Sequence, residues 1–258
     1  MKQNINVKIY RFAKEFLFNN LPDEITENDL NKYMTVSLSK QKNLKDVFVI
    51  FIHSAQNYQR TPKVIKFHER KSKIEKILFG FDYKKIAEMD EERLYKTFRK
   101  TFMVTSKDSK MNSWYKWSCS IVDCARFLCG FKNIPDFDRF VKRFDYNPET
   151  RMALPLMIST KIRGMGFALA CNALKELGYV DYPKPDVHII DICETFGLSS
   201  RNPYDAFEAI VRIAKDNNVT PYEVDKVLWL ICSGNYYLDE IKVKSKKEEF
   251  INELKIIL

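Results

Sequence analysis

The sequence predicts an all-α protein with two helical lobes. Only 7 glycines occur in 258 residues, whereas a β-rich chain of this length would need more turns and more glycine. Apolar residues recur at helical spacing through most of the chain. The sequence contains no pair of segments with alternating apolar and polar residues joined by a tight turn, so it predicts no β-hairpin. Together these observations favour about a dozen helices.

The first half of the chain supplies helical patterns separated by polar breaks. Residues 4–18 place Ile9, Phe12 and Phe16 on one face. Thr26 precedes the next pattern, and an acidic residue three positions later resembles a capping box. Residues 44–56 carry the wide apolar stripe of a buried helix. Thr61-Pro62 predicts a helix start that continues to about residue 79, and residues 90–102 form a charged amphipathic helix.

A polar stretch at 105–113 lacks periodicity and is the best loop candidate. Helices are predicted after it wherever apolar periodicity ends at glycine or begins at an Asn-Pro or Thr-Pro pair. Their approximate ranges are 113–130, 135–144, 149–161, 167–177, 186–196 and two more from residues 202 and 220. The tail at 239–258 is rich in Lys and Glu and ends apolar, so we expect its last turns to pack on the body.

The chain is basic, with 43 Lys and Arg against 34 Asp and Glu and a formal net charge of +9. This excess suits a polyanion, because neutralising phosphates releases counterions. An AT-biased genome that enriches Lys and Asn explains the composition equally well. Charge therefore supports a nucleic-acid partner without establishing one.

Six cysteines occur, and none forms a CxxC pair. They are typical of small core residues rather than of a disulfide framework, which this length does not need. The N-terminus opens no apolar signal segment, and no apolar run reaches 18 residues. The sequence predicts a reduced, cytoplasmic protein without a membrane partner.

The most informative segment lies at 161–171, where Gly164 and Gly166 flank Met165 between two helical stretches. The glycines permit a tight turn, and Met165 can anchor it in the core. Backbone N–H groups at the start of the following helix can bind a phosphate. The alternative is a helical hairpin whose glycine turn has no further role.

Asp186 follows Gly166 by 20 residues, and with it the sequence resembles the helix-hairpin-helix DNA glycosylases. Residues 162–170 read Ile-Arg-Gly-Met-Gly-Phe-Ala-Leu-Ala, similar to the family's Leu-Pro-Gly-Val-Gly-x-Lys-x-Ala. Residues 185–189 read Pro-Asp-Val-His-Ile, similar to its Val-Asp-Thr-His-Val. The spacing of the two motifs also fits the family.

A third match is Ile-His-Ser-Ala-Gln at 52–56, which resembles the Leu-Leu-Ser-Ala-Gln segment of the endonuclease III branch. The resemblance covers about 44–103 and 147–234, and the stretch near 105–144 looks like an insertion. It implies one glycosylase-like unit of two lobes. One lobe is approximately 44–144, and the other is 1–43 plus 147–258, with the hairpin at about 150–178 and Asp186 flanking the cleft.

The resemblance implies a base-excision repair enzyme that flips a damaged base from duplex DNA and hydrolyses its N-glycosidic bond. Asp186 is then the catalytic carboxylate that stabilises positive charge on the sugar and assists water. Gln56 would enter the duplex beside the extruded base. The hairpin residues Gly164, Met165 and Gly166 would hold the DNA backbone. The nearby basic residues are phosphate-contact candidates: Lys161, Arg163 and Lys184.

Two departures from the family pattern affect the chemistry. Bifunctional members carry a nucleophilic lysine two residues after the second glycine, where this chain has Ala168. The resemblance thus implies a monofunctional enzyme, although Lys161 or Lys184 could restore lyase activity from another position. The four-cysteine iron–sulfur pattern is missing, so we expect no cluster, no other metal and at most a monovalent cation at the hairpin loop.

A base pocket needs aromatic side chains that stack on the extruded base. Trp114, Trp117 and Tyr58 are the preferred candidates, ahead of three further residues, Trp229, Tyr236 and Tyr237. His188 is expected to be structural. The damaged base itself is open, and Asp186 could also be only a helix cap in a non-catalytic DNA-binding protein. The family suggests a monomer.

Overall fold

The computed structural model describes residues 4–35, 43–58 and 61–258, whose regular structure is almost entirely helical. The expected all-α fold class is confirmed. The helices are α1 (Ile5–Asn19), α2 (Glu27–Met34), α3 (Leu44–Gln56), α4 (Thr61–Ile65), α5 (Phe67–Ile77), α6 (Tyr83–Ala87), α7 (Glu91–Thr101), α8 (Ser113–Leu128), α9 (Ile134–Lys142), α10 (Pro148–Lys161), α11 (Phe167–Glu176), α12 (Val187–Thr195), α13 (Pro203–Asn217), α14 (Pro221–Ser233) and α15 (Lys247–Ile257).

A two-stranded antiparallel ribbon, which the sequence did not predict, joins α14 to the C-terminal helix. Its strands are β1 (Asn235–Tyr236) and β2 (Ile241–Lys242). Gly234, with φ +60°, ends α14 and directs the chain into the ribbon. Two-residue strands are too short to show the alternating pattern that identifies a strand in sequence.

The start of α5 also differs from the sequence prediction. The pattern predicted one helix from Thr61 to about residue 79, but the chain forms α4 and α5 with a break between them. Lys66 lies in the left-handed region with φ 52° and interrupts the helix. The predicted capping box at Thr26 is present, with its hydroxyl accepting from the Asp29 amide and the Asp29 carboxylate accepting from the Thr26 amide.

The chain forms two compact units, one from residues 40–177 and one from 1–39 together with 178–258. This division differs from the expected one at the hairpin, because α10 and α11 belong to the 40–177 unit. The physical reason is that α11 packs on α3: the Ser54 hydroxyl donates to the Leu169 carbonyl at 2.8 Å. The pattern of α10 and α11 in sequence does not reveal this partner.

In the 40–177 unit, α8 lies at the centre and packs against α3, α6 and α7. The stretch that resembled an insertion thus supplies core helices. Trp117 donates its indole N–H to the Ile52 carbonyl at 2.8 Å, which joins α8 to α3. The unit therefore depends on the segment at 113–128 for its core.

In the other unit, α1 packs against α13, α14 and α15. Phe12 and Phe16 of α1 contact Phe250 of α15, with ring centroids 5.7 and 5.4 Å apart. The Tyr10 hydroxyl donates to the Glu223 carboxylate at the start of α14. Segments from both halves of the sequence thus share one core, which supports α12.

Across the described ranges, no helix has the length and apolar character needed to cross a membrane.

Candidate nucleic-acid interface and catalytic carboxylate

The hairpin predicted at 161–171 is present as α10, a tight turn and α11. Gly164 has φ +77°, and a Cβ there would lie 2.9 Å from the Ser120 hydroxyl oxygen, so both backbone and space require glycine. Met165 is buried, and its N–H donates to the Ile162 carbonyl at 3.2 Å. The turn is therefore anchored in the core as predicted.

The start of α11 has no side-chain cap. Gly166 is the N-cap residue, and it provides no side-chain hydrogen bond to the helix. The first backbone N–H groups of a helix carry partial positive charge and donate hydrogen bonds to anions. This arrangement can hold a phosphate without any side chain at position 166.

The Ser-Ala-Gln segment and the hairpin lie together in the 40–177 unit. Asn172 of α11 donates to the Ser54 hydroxyl at 3.2 Å, and that hydroxyl donates to the carbonyl of Leu169. Both groups are buried, so the contact is part of the core. The structure thus joins two motifs separated by more than 100 residues in sequence.

Gln56 ends α3 and is folded inward, with 3% of its surface exposed. It lines a cleft of about 620 Å³ whose other walls come from α3, α4 and α5. Burial lowers the pKa of His53 in this cleft to about 4, so His53 is neutral at pH 7. As the structure stands, Gln56 lines a cleft and does not project from the surface.

The Gln56 amide oxygen is buried and has no hydrogen-bond partner among the described residues. Such a group costs about 1–3 kcal/mol, so we expect Gln56→Met to raise the free energy of unfolding by about 1 kcal/mol. Urea denaturation measures this change. Lys63→Met, at an exposed position on the same cleft, is the control and should change stability by less than about 0.5 kcal/mol. A destabilised Gln56→Met variant would contradict the prediction.

The Arg163 guanidinium is paired with two carboxylates. Its guanidinium binds Asp123 through Nε and Nη2 at 2.7 and 2.9 Å, and Glu91 through Nη1 at 2.7 Å. The hydrogen bond from Arg163 lowers the pKa of Glu91, and the pair with Asp123 raises the pKa of Arg163 beyond its usual range. Lys161, in contrast, is exposed at the end of α10.

The structure places Trp114 and Trp117 in the core, which corrects their assignment to a base pocket. Each has 1% of its surface exposed. Their rings pack on Phe98 at 5.2 and 5.4 Å between centroids, and the Arg70 guanidinium lies 5.7 Å from the Trp114 ring. Helix α8 turns both indoles inward because its neighbours α3 and α7 cover that face. Stacking a base between them would require opening this core.

Tyr58 is the exposed member of the three preferred aromatic candidates, with 40% of its surface accessible. The Lys116 ammonium lies 5.7 Å from the centre of its ring. An exposed ring beside a cation suits a base and its phosphate. Of the other candidates, Tyr236 is buried, and Trp229 and Tyr237 flank the Lys226 ammonium at 5.5 and 4.8 Å.

Asp186 caps α12 in the unit that contains residues 178–258. One carboxylate oxygen accepts hydrogen bonds from the amides of His188 and Ile189 at 3.0 and 3.4 Å. The side chain is 17% exposed. Amides at a helix N-terminus fix the orientation of the carboxylate that caps them. The cap and a chemical role are therefore compatible at this position.

Lys184 lies beside this carboxylate, with its Nζ 4.0 Å from the second Asp186 oxygen. The backbone N–H of Lys184 donates to Asp225 at 2.8 Å, and Asp225 is 1% exposed. Because Pro183 and Pro185 flank it, the segment is short of conformational freedom. The structure thus holds an amine and a carboxylate together in one rigid loop.

Sequence reasoning missed the two buried acids that hold these loops, Asp123 and Asp225. Asp123 stands alone in the apolar segment Ile-Val-Asp-Cys-Ala at 121–125, whereas Asp225 has Glu223 and Lys226 beside it and gives no such signal. An acid in such an apolar segment must find a partner, because an unpaired buried charge is costly. That signal could have indicated a supporting role but not the partner. Among the residues that the structure describes, no three His, Cys, Asp or Glu side chains are grouped to hold a metal ion.

The hairpin carbonyls that the resemblance assigns to a monovalent cation are in part already hydrogen-bonded. The Ile162 carbonyl accepts from the Met165 amide, and the Arg163 carbonyl accepts from the Ser120 hydroxyl.

The chain thus combines a glycine-turn helical hairpin with an aspartate that caps a later helix, within an all-α fold. A solved structure with the same fold is the Methanocaldococcus jannaschii 8-oxoguanine glycosylase/lyase in complex with a 15mer DNA containing 8-oxoguanine. The match covers 92% of this chain and 99% of that chain, with 18% identity and a TM-score of 0.53. No protein-family model and no curated protein sequence matches the chain.

Proposed function

We propose that the protein is a DNA base-excision glycosylase that releases a damaged or modified base from duplex DNA. The observation that carries the proposal is the Asp186 carboxylate, held by two backbone amides in a fold shared with a DNA glycosylase/lyase. The hairpin at 148–176 supports a DNA partner, because its helix start suits a phosphate. The net charge of +9 is consistent with such a partner.

The chemistry requires a carboxylate at the sugar. Breaking the C1′–N bond leaves positive charge on C1′ and the ring oxygen, and an ionised carboxylate stabilises that charge. One Asp186 oxygen is engaged by the amides of α12, which leaves the other to face the sugar. The same oxygen can accept a proton from the attacking water.

In this proposal water is the nucleophile for base release. The hairpin position at which bifunctional relatives carry lysine is Ala168, whose methyl group cannot attack C1′. The base must first leave the stack, since the target bond is inaccessible in a paired duplex. Binding of the DNA backbone by the hairpin holds the duplex while the nucleotide is extruded.

The test is base release from a set of duplexes that each contain one lesion: an oxidised purine, an alkylated purine, uracil or a mismatched base. Free base is detected by chromatography and mass spectrometry, so the assay does not depend on strand cleavage. Release from one or more duplexes would support the proposal and identify the substrate. Binding to lesion-containing duplex without release from any would favour a non-catalytic DNA-binding protein, in which Asp186 is only a cap.

A second candidate activity is cleavage of the abasic product, and the 4.0 Å separation of Lys184 and Asp186 favours it. The Lys184 amine would add to the C1′ aldehyde of the opened sugar and lose water to give an imine. Loss of the C2′ proton to the Asp186 carboxylate would then expel the 3′ phosphate, breaking the C3′–O bond. Hydrolysis of the imine would return the free amine.

We expect Lys184→Gln to abolish strand cleavage at a preformed abasic site, if this second activity exists. Borohydride reduction should trap a covalent complex of DNA with the wild-type protein and not with this variant. Lys215→Gln removes an exposed lysine of α13 in the same unit and is the matched control, while Lys161→Gln tests the alternative nucleophile. A preformed abasic site makes the result independent of base release. Equal trapping of wild type and Lys184→Gln would exclude Lys184 as the nucleophile.

A further inference from the structure

The loop of the hairpin is tied to α8 and α7 by a cluster that we call the Arg163 clamp, formed by Arg163, Asp123, Glu91 and Ser120. We propose that Asp123 is a positioning residue that sets the conformation of the hairpin loop for binding the DNA backbone. Arg163 then acts as a tether inside the protein and not as a phosphate contact. The DNA part of this inference rests on the proposed function.

Asp123 accepts three hydrogen bonds from one residue. Its Oδ2 accepts from the backbone N–H of Arg163 at 3.0 Å and from Nε at 2.7 Å, and its Oδ1 accepts from Nη2 at 2.9 Å. A bidentate guanidinium–carboxylate pair fixes both distance and plane. Because the backbone N–H is also bound, the pair fixes the peptide before Arg163 as well as its side chain.

The peptide group that follows Arg163 is also held by a residue of α8. The Ser120 hydroxyl donates to the Arg163 carbonyl at 2.6 Å, and its oxygen lies 2.9 Å from where a Gly164 Cβ would be. Ser120 and Asp123 are three residues apart and so share one face of α8. The backbone N–H and the backbone carbonyl of Arg163 are therefore both hydrogen-bonded to this face of α8, immediately before the glycine turn.

Burial makes this contact asymmetric. The Asp123 side chain is 10% exposed, whereas that of Arg163 is 50% exposed. An unpaired buried carboxylate is strongly unfavourable. Loss of the ion pair would therefore cost more free energy at the buried Asp123 than at the half-exposed Arg163, which water can solvate. Arg126 lies 4.0 Å from Asp123 with half of its side chain exposed, and it offers only a longer contact.

Charge within the clamp also argues against phosphate binding by Arg163. One guanidinium faces two carboxylates, Asp123 and Glu91, so the three groups together carry a net negative charge. A phosphate approaching this guanidinium would meet no excess positive charge. The resemblance places proline at this position, a residue that fixes the backbone through its ring. Here hydrogen bonds from α8 restrain the same peptide.

The first test uses the free protein and hydrogen exchange of the backbone amides at 162–166. Asp123→Asn removes the charge and should speed exchange of these amides at least about tenfold, equivalent to about 1.4 kcal/mol. Arg139→Met, on the exposed face of α9, is the control and should leave them unchanged. Unchanged exchange in Asp123→Asn would overturn the proposal, whether or not the protein binds DNA.

The second test measures the affinity for undamaged duplex as a function of salt concentration, which requires no catalysis. Arg163→Met and Arg163→Lys should both weaken binding about tenfold, while the slope of log affinity against log salt stays at the wild-type value. Loss of a phosphate contact would instead lower that slope by about 1, and lysine would preserve it. A lowered slope in Arg163→Met would overturn the proposal.

The two tests separate failure of the inference from failure of the proposed function. A wild-type protein that binds no duplex would contradict the proposed function, and hydrogen exchange would still decide whether Asp123 positions the loop. A native thermal transition for each variant shows that the fold has survived. If Asp123→Asn fails to fold, Arg163→Lys, which leaves the buried acid paired, provides the same exchange measurement.

Discussion

Replacing Asp186 with Asn is expected to reduce base release by roughly 10²- to 10³-fold while the protein remains folded. The substitution removes the negative charge that stabilises the sugar cation in the proposed mechanism. It keeps an oxygen able to accept from the amides of His188 and Ile189, and asparagine caps helices about as well as aspartate. The measurement is the single-turnover rate of base release on the substrate identified by the lesion panel.

The controls for this variant are its affinity for the duplex and its thermal stability. Asp186→Asn should bind the same duplex with an affinity close to that of the wild type, and its thermal transition should move little. Equal rates of base release for the two proteins would show that Asp186 is only a cap. Loss of the thermal transition would instead indicate that the charge itself supports α12 through its N-terminus.

Trp117→Ala is expected to lower the free energy of unfolding by about 3–5 kcal/mol, the range for a large buried aromatic. The substitution leaves a cavity against Phe98 and deprives the Ile52 carbonyl of its indole donor. Urea denaturation measures the change. Because the total free energy of unfolding of a domain is only about 5–15 kcal/mol, the variant should be close to unfolding at moderate temperature.

Tyr58→Ala is the matched comparison, since this ring is 40% exposed and should contribute little to stability. We expect Tyr58→Ala to change the free energy of unfolding by less than about 1 kcal/mol. If Trp117→Ala were equally mild, the indole would not belong to the core, and its earlier assignment to a base pocket would regain support.

Features encoded by neighbouring residues could be predicted from sequence. The glycine turn with Met165 buried and the Asp186 cap each depend on a few residues in a row, and the structure contains both. The helix starts at Asn202 and Thr220 could be predicted for the same reason, because the N-cap residue and the proline that follows it are adjacent. Local sequence is sufficient wherever the hydrogen bonds themselves are local.

Features that depend on partners far along the chain were missed or misassigned. Trp114 and Trp117 follow a polar stretch and were preferred as base-pocket candidates, yet α3 and α7 cover them. The sequence made Arg163 a phosphate-contact candidate and could not indicate that Asp123, 40 residues away, binds it. Apolar periodicity reveals which face of a helix is buried but not which helix covers it. The roles of these residues could be inferred only after packing was known.

The unit that contains Asp186 combines the first helix of the described chain with residues 178–258, and this sets an order of assembly during synthesis. Helix α1 leaves the ribosome well before α13, α14 and α15, which cover its apolar face. The segment at 40–177 has its own core and can fold in the interval. Until the C-terminal helices emerge, Phe12 and Phe16 lack Phe250 as a packing partner. A nascent chain would therefore expose α1 to chaperones until these later helices have been made.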